Sequence, residues 1–191
     1  MKTMTFLFAL ALTMSGMSTL HAQGFTPPSE GKAAVYFVRV TSFGAAVSFE
    51  FFDNNRYIGA FKGKNYMRFE LDPGEHLLWV STENKEFLTA DLKAGGIYVI
   101  VTDVIMGAWK ARVGLDILTT DAKDKELLQR VKDLVNKKAP KVTPEKVIEK
   151  RNKELEPFIA EKLELYEKEW KNTKNFKHLA ADMAIPIEAL K

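Results

Sequence analysis

The sequence predicts an α+β protein: an antiparallel β-sandwich of about eight strands followed by two or three C-terminal helices. Short β-rich runs separated by turn residues fill the chain up to residue 119. Their spacing is that of a sandwich or barrel. Beyond that point glycine disappears, and Lys/Glu-rich segments with helical spacing take over. The expected organisation is therefore a leader at 1–22, a lead at 23–30, a β-sandwich at 31–119 and a helical extension at 120–191.

The first 22 residues carry the pattern of a cleavable signal peptide. Lys2 gives a positive start, residues 5–14 (TFLFALALTM) a short apolar stretch, and Leu20-His21-Ala22 a cleavage site before Gln23. A spanning helix needs about 20 apolar residues, roughly twice this stretch. No later segment is long and apolar enough to span, so no transmembrane helix is expected after signal removal. The expected location is periplasmic or secreted. The roughly 169 residues that remain are enough for a core of their own.

The lead contains Gly24, Pro27, Pro28 and Ser29 and is expected to be loose. Residues 32–40 (KAAVYFVRV) are apolar on both faces, which predicts a central or covered strand. Residues 45–53 alternate, with Val47, Phe49 and Phe51 on one face. Asn54-Asn55 then turns the chain into 56–62, because Asn tolerates positive φ. Gly63-Lys64-Asn65 leads to 66–71. In Asp72-Pro73-Gly74, proline presets φ and glycine supplies φ > 0. Strands at 75–82, 86–92, 97–104 and 109–118 complete the set, with the turn Lys93-Ala94-Gly95-Gly96 before the seventh.

Thr120 or Asp121 can cap a first helix running to about 138. Its stripe is Leu127, Leu128, Val131, Leu134 and Val135, and Pro140 stops it. Thr143 as N-cap, Pro144 and Glu145 open a second helix. The stripe there is Ile148, Leu155, Phe158, Ile159, Leu163, Tyr166 and Trp170. Pro157 predicts a kink or break near Glu156. Residues 178–190 are expected to be partly helical. These stripes must be buried on the sandwich, on each other or on a partner.

Cysteine is absent. That excludes disulfides, thiolate nucleophiles, Cys-based zinc sites and lipidation at a mature N-terminal Cys. Residues 23–119 carry 10 Lys/Arg against 11 Asp/Glu, and 120–191 carry 17 against 14. Neither balance is the basic footprint of a nucleic-acid binder, so no nucleic-acid partner is expected.

Several stretches together resemble a bacterial family of exported domains, the domain-of-unknown-function family 2846. They are Gly31 to Arg39 (GKAAVYFVR) with Ser42-Phe43, residues 51–71 (FFDNNRYIGAFKGKNYMRFEL), Pro73-Gly74-Glu75-His76, and residues 94–107 (AGGIYVIVTDVIMG). The resemblance covers about residues 31–118. The Pro-Gly-Glu-His turn is also similar to that of the small β-sandwich modules called PEGA domains. The resemblance implies an exported β-sandwich, often tethered to a bacterial envelope membrane, with no known activity and no catalytic residues to carry over. Many relatives are lipoproteins, and this chain lacks their cysteine.

Chemistry-bearing residues are sparse. Beyond the leader there are two histidines, His76 beside a turn and His178 near the end. Each reads as a solvated side chain or as a lone member of a site. No HExxH, GxSxG, phosphate-binding glycine loop or EF-hand loop occurs. Asp72 and Glu75 flank a tight turn, where acids are solvated. No catalytic residue, metal or cofactor is predicted. Phe43, Tyr66 and the run from Ile105 to Trp109, with Met106 and Trp109 its largest candidates, fall in loops or at strand ends, as interface anchors or as caps on the end of the sandwich. Arg39, in an apolar strand, needs a partner or an exposed end. The functional expectation is a non-catalytic binding or interaction module of the bacterial envelope. It would take a protein or glycan partner through sandwich loops, helices or both. The alternatives are a small-ligand carrier or hydrolase with a pocket between sandwich and helices, and a structural subunit of an envelope assembly.

Overall fold

The computed structural model describes residues 23–106 and 111–191. The signal-peptide expectation for 1–22 and the candidate Trp109 lie outside the described residues. Of Met106, only its place in a strand is described.

Eight strands follow in order: β1 Ala33–Val38, β2 Ser48–Asp53, β3 Arg56–Lys62, β4 Tyr66–Leu71, β5 Gly74–Ser81, β6 Lys85–Leu92, β7 Ile97–Met106 and β8 Ala111–Ile117. A ninth, β9 (Lys177–Leu179), comes from the C-terminal tail. They form two packed sheets, ordered β4-β1-β7-β8 and β3-β2-β5-β6-β9. The sheets are mixed, which corrects the expected antiparallel arrangement: β1 runs parallel to β7, and β6 parallel to β9. The turn after β6 explains the first pair. It crosses between sheets instead of closing a hairpin. Gly95 N–H donates to the Lys32 carbonyl (2.8 Å) and Ala34 N–H to the Gly96 carbonyl (2.9 Å). That places the starts of β1 and β7 side by side.

Alternation along the strands creates three packed layers. Ala33, Val35 and Phe37 of β1 point inward to the core shared with Phe49, Phe51, Leu78, Val80 and Leu88. Ala34, Tyr36 and Val38 point outward and are covered by Val131, Leu134 and Val135 of α1 (Lys125–Lys137). This is why β1 is apolar on both faces. On the second sheet Phe52, Trp79 and Phe87 point outward, under Ile148 and Ile159 of α2 (Glu145–Leu165) and under Tyr166. Phe52 and Trp79 stack at 3.8 Å between ring centroids. Each such fully buried side chain contributes about 1.5–3 kcal/mol.

The C-terminal half thus encircles the sandwich. From α1 the chain crosses one seam, where Lys141 N–H donates to the Tyr66 carbonyl (2.7 Å). After α2 come a π-helical turn (Tyr166–Trp170) and a short α3 (Lys171–Thr173). The tail then crosses the other seam as β9. Tyr98 hydroxyl donates to the Ala181 carbonyl (3.0 Å) and Ile185 N–H to the Ile97 carbonyl (2.8 Å). Finally α4 (Ile187–Leu190) buries Leu190 beside α1.

Local expectations also change. The lead is packed, not loose: Phe25 is buried against Tyr36, and Thr26 N–H donates to the Tyr36 hydroxyl (2.9 Å). Thr143 does not cap α2; its hydroxyl accepts the Ala60 N–H (3.3 Å) and ties the helix start to β3. Neither Thr120 nor Asp121 caps α1, which begins after a 3-10 turn at Ala122–Asp124. Pro157 does not break α2. Pro157 and Lys153 are both exposed, so the carbonyl that loses its donor faces water.

Candidate functional site

The chain leaving β1 builds one end of the sandwich. Arg39 continues the inward alternation of Val35 and Phe37 and is wholly buried. Its guanidinium lies 4.6 Å from the centre of the Phe49 ring. It donates to the carbonyls of Val47 (3.2 Å), Gly44 (2.9 Å) and Phe43. Val47 N–H donates to the Gly44 carbonyl (2.9 Å), closing the loop on itself. Burial lowers the Arg39 pKa from its ordinary value, and nearby Asp103 opposes that shift. The required partner of Arg39 is therefore a set of loop carbonyls. Arg39 Nε and the buried Thr102 hydroxyl find no protein partner among the described residues.

The same loop is pinned to β7. Thr41 hydroxyl donates to Asp103 (2.5 Å), and a Cβ on Gly44 would meet Val104 at 3.1 Å. Gly44 has φ of 64°, the left-handed region that favours glycine. Phe43 and Ile105, 62 residues apart in sequence, therefore project from one end of the molecule, each 55% exposed. Phe43 does not cap the core. Around the pair, Ser48 pairs with Lys62, the Gly63 turn lies against Ala45, and Ile105 pairs with Arg112.

Tyr66 does not join this surface. It is 1% exposed, its hydroxyl donates to the Lys138 carbonyl (2.9 Å), and burial pushes its pKa up to about 12. It serves the seam between sandwich and helices. Trp170 lies on the opposite outer face, against Phe87. Tyr66 and Trp170 thus do not meet in one pocket. Two open clefts of about 230 and 240 Å³, both lined by Ala184 and Ile185, lie where the tail crosses, and neither Tyr66 nor Trp170 lines them. Both clefts fall below the ~300–1,000 Å³ of small-molecule sites.

His76 is not a solvated side chain. Its Nδ1 lies 2.8 Å from Asp53 Oδ1 and its Nε2 2.9 Å from the Asp72 carbonyl. The His76 and Asp53 side chains are 10% and 15% exposed. Both ring nitrogens face acceptors, so only the imidazolium satisfies both. The hydrogen bond to Asp53 accordingly raises the His76 pKa. The sequence alone hides this pairing, because Asp53 and His76 meet only through the β2–β5 register. Asp72 and Glu75 are exposed turn acids, as expected. Exposed His178 meets the Thr89 hydroxyl (3.0 Å) and Asp91 (3.4 Å).

In comparisons with known proteins, no family model and no curated protein matches the chain.

Proposed function

We propose that this is an exported, non-catalytic interaction module of the bacterial envelope whose contact surface is the end of the sandwich bearing Phe43 and Ile105. The observation that carries the reading is that two large apolar side chains are exposed at the same end of the sandwich, Phe43 on the loop pinned by Arg39 and Ile105 on the adjoining overhang of β7. Arg39 supplies the rigidity from beneath. The export pattern of residues 1–22 and the resemblance to domain family 2846 support the same reading. Val142 and Val147 are also exposed, but they are near neighbours in sequence and need no fold to bring them together.

Hydrolysis by His76 is disfavoured by its geometry. An imidazolium that donates both N–H groups has no lone pair with which to act as a base. A small-ligand carrier would need a larger enclosure than the two tail clefts.

A photo-cross-linking residue placed at Phe43 or Ile105 in intact cells tests the reading. Cross-links at both sites and none at Val147 are expected. Equal labelling at all three, or none at Phe43 and Ile105, would remove this surface as the contact site.

A further inference from the structure

Building on that reading, we propose that this surface docks on an anionic lipid interface, with the Phe43 loop and Ile105 entering the boundary between headgroups and acyl chains.

Residues 41–48 (TSFGAAVS) contain no charged side chain. Phe43, Ala45 and Ala46 are exposed there, flanked by the exposed but uncharged Ser42 and Ser48. A backbone loop enters an apolar medium only when its polar groups are satisfied from within. Arg39 does this for the carbonyls of Phe43, Gly44 and Val47, from the buried side. The Gly44 carbonyl also accepts the Val47 N–H. What the loop turns outward is therefore chiefly apolar.

The rim supplies the complementary charge. Lys62, Lys64 and Arg112 are exposed around the tip and form no ion pair among the described residues, against one exposed acid at the same end, Glu83 of the β5–β6 turn, which Asn84 ties to Val113. The Asp103 carboxylate is occupied by the Thr41 hydroxyl and the Val104 N–H (2.8 Å). An apolar tip inside a basic rim fits an anionic headgroup layer. An acidic protein would match the rim as well, but the uncharged loop with the carbonyls of Phe43, Gly44 and Val47 met from the buried side is the feature that insertion into lipid requires.

The test is sedimentation of the protein with vesicles of phosphatidylethanolamine and phosphatidylglycerol, against vesicles of phosphatidylcholine alone. The comparison variants are F43S/I105S and K62E/R112E, their folding checked by circular dichroism. Binding to the anionic vesicles alone is expected, weakening with salt. Each reversed basic residue should lower it by at least about fivefold, and F43S/I105S should abolish it at low salt. Binding that survives F43S/I105S, or that is equal on both vesicle types, overturns the proposal. Absence of vesicle binding together with a protein cross-linked at Phe43 overturns the lipid assignment and leaves the contact surface standing. Absence of both removes both.

Discussion

Asn152 of α2 takes both backbone groups of Tyr57 at the outer edge of β3. The Tyr57 N–H donates to Asn152 Oδ1 (2.8 Å), and Asn152 Nδ2 donates to the Tyr57 carbonyl (3.0 Å). Asn84 does the same for Val113 of β8, accepting its N–H (2.7 Å) and donating to its carbonyl (3.1 Å). In each case one side-chain amide stands where a neighbouring strand would pair. An uncovered edge is a template for association with other chains.

Replacing Asn152 by Ala leaves both Tyr57 groups without their partner. A loss of about 1–3 kcal/mol is expected. Urea unfolding measures it, and faster hydrogen exchange at the Tyr57 amide locates it. Unchanged exchange there would show that the clamp does not hold the edge.

The His76–Asp53 pair gives a pH dependence of defined sign. The fold raises the His76 pKa above its ordinary 6.5, with Asp53 and the Asp72 carbonyl facing the ring. The stabilisation is therefore full below the unfolded value and fades as pH rises through the folded one. Unfolding of the protein and of H76Q from about pH 5 to about pH 9, across the range where histidine titrates, should show a difference that shrinks with pH. A difference that grows with pH would contradict the pairing.

Thr102 lies in the inter-sheet core with a hydroxyl that meets no partner among the described residues. Valine has nearly the same shape and no polar atom to desolvate. T102V is expected to raise stability by about 1 kcal/mol or more, because leaving such a group unmet costs about 1–3 kcal/mol. T102S, which keeps the hydroxyl, should give no gain. Destabilisation by T102V would show that the hydroxyl is satisfied in solution.

The tail is held by burial and not by its charges. Leu179 is fully buried in the core between the sheets. L179A should cost about 2–5 kcal/mol. The neighbouring Lys177–Asp116 pair is 51% and 59% exposed. K177A should therefore change stability by less than about 1 kcal/mol. The opposite ranking in thermal unfolding would mean that β9 is held from outside.

Much of the sandwich is readable from local pattern. The bounds expected for β3 and β4 are those observed, and Asn54 takes the positive φ (49°) expected of its turn. The apolar stripe of α1 is the face that is buried. What escapes is set by long-range pairing. Residues 177–179 (KHL) have no strand signature of their own; β6 imposes one through three pairs. The parallel β1–β7 match depends on a turn that crosses between sheets. Of the four candidate contact residues, Phe43 reaches the exposed end, while Tyr66 is hidden because α1 and its following segment lie over it. Ile105 opens the apolar run 105–109 at a strand end, but nothing local tells its side chain from a buried strand residue. Only the overhang of β7 past its last pair with β1, Val38↔Val101, exposes it.

The contact surface is tested most directly by the stability of F43S/I105S in urea. Both side chains are 55% exposed, so the account expects unfolding free energy within about 0.5 kcal/mol of the unsubstituted protein, as for surface positions generally. A loss of about 2 kcal/mol or more, the size of a core truncation, would show that Phe43 and Ile105 close the end of the sandwich instead of facing a partner.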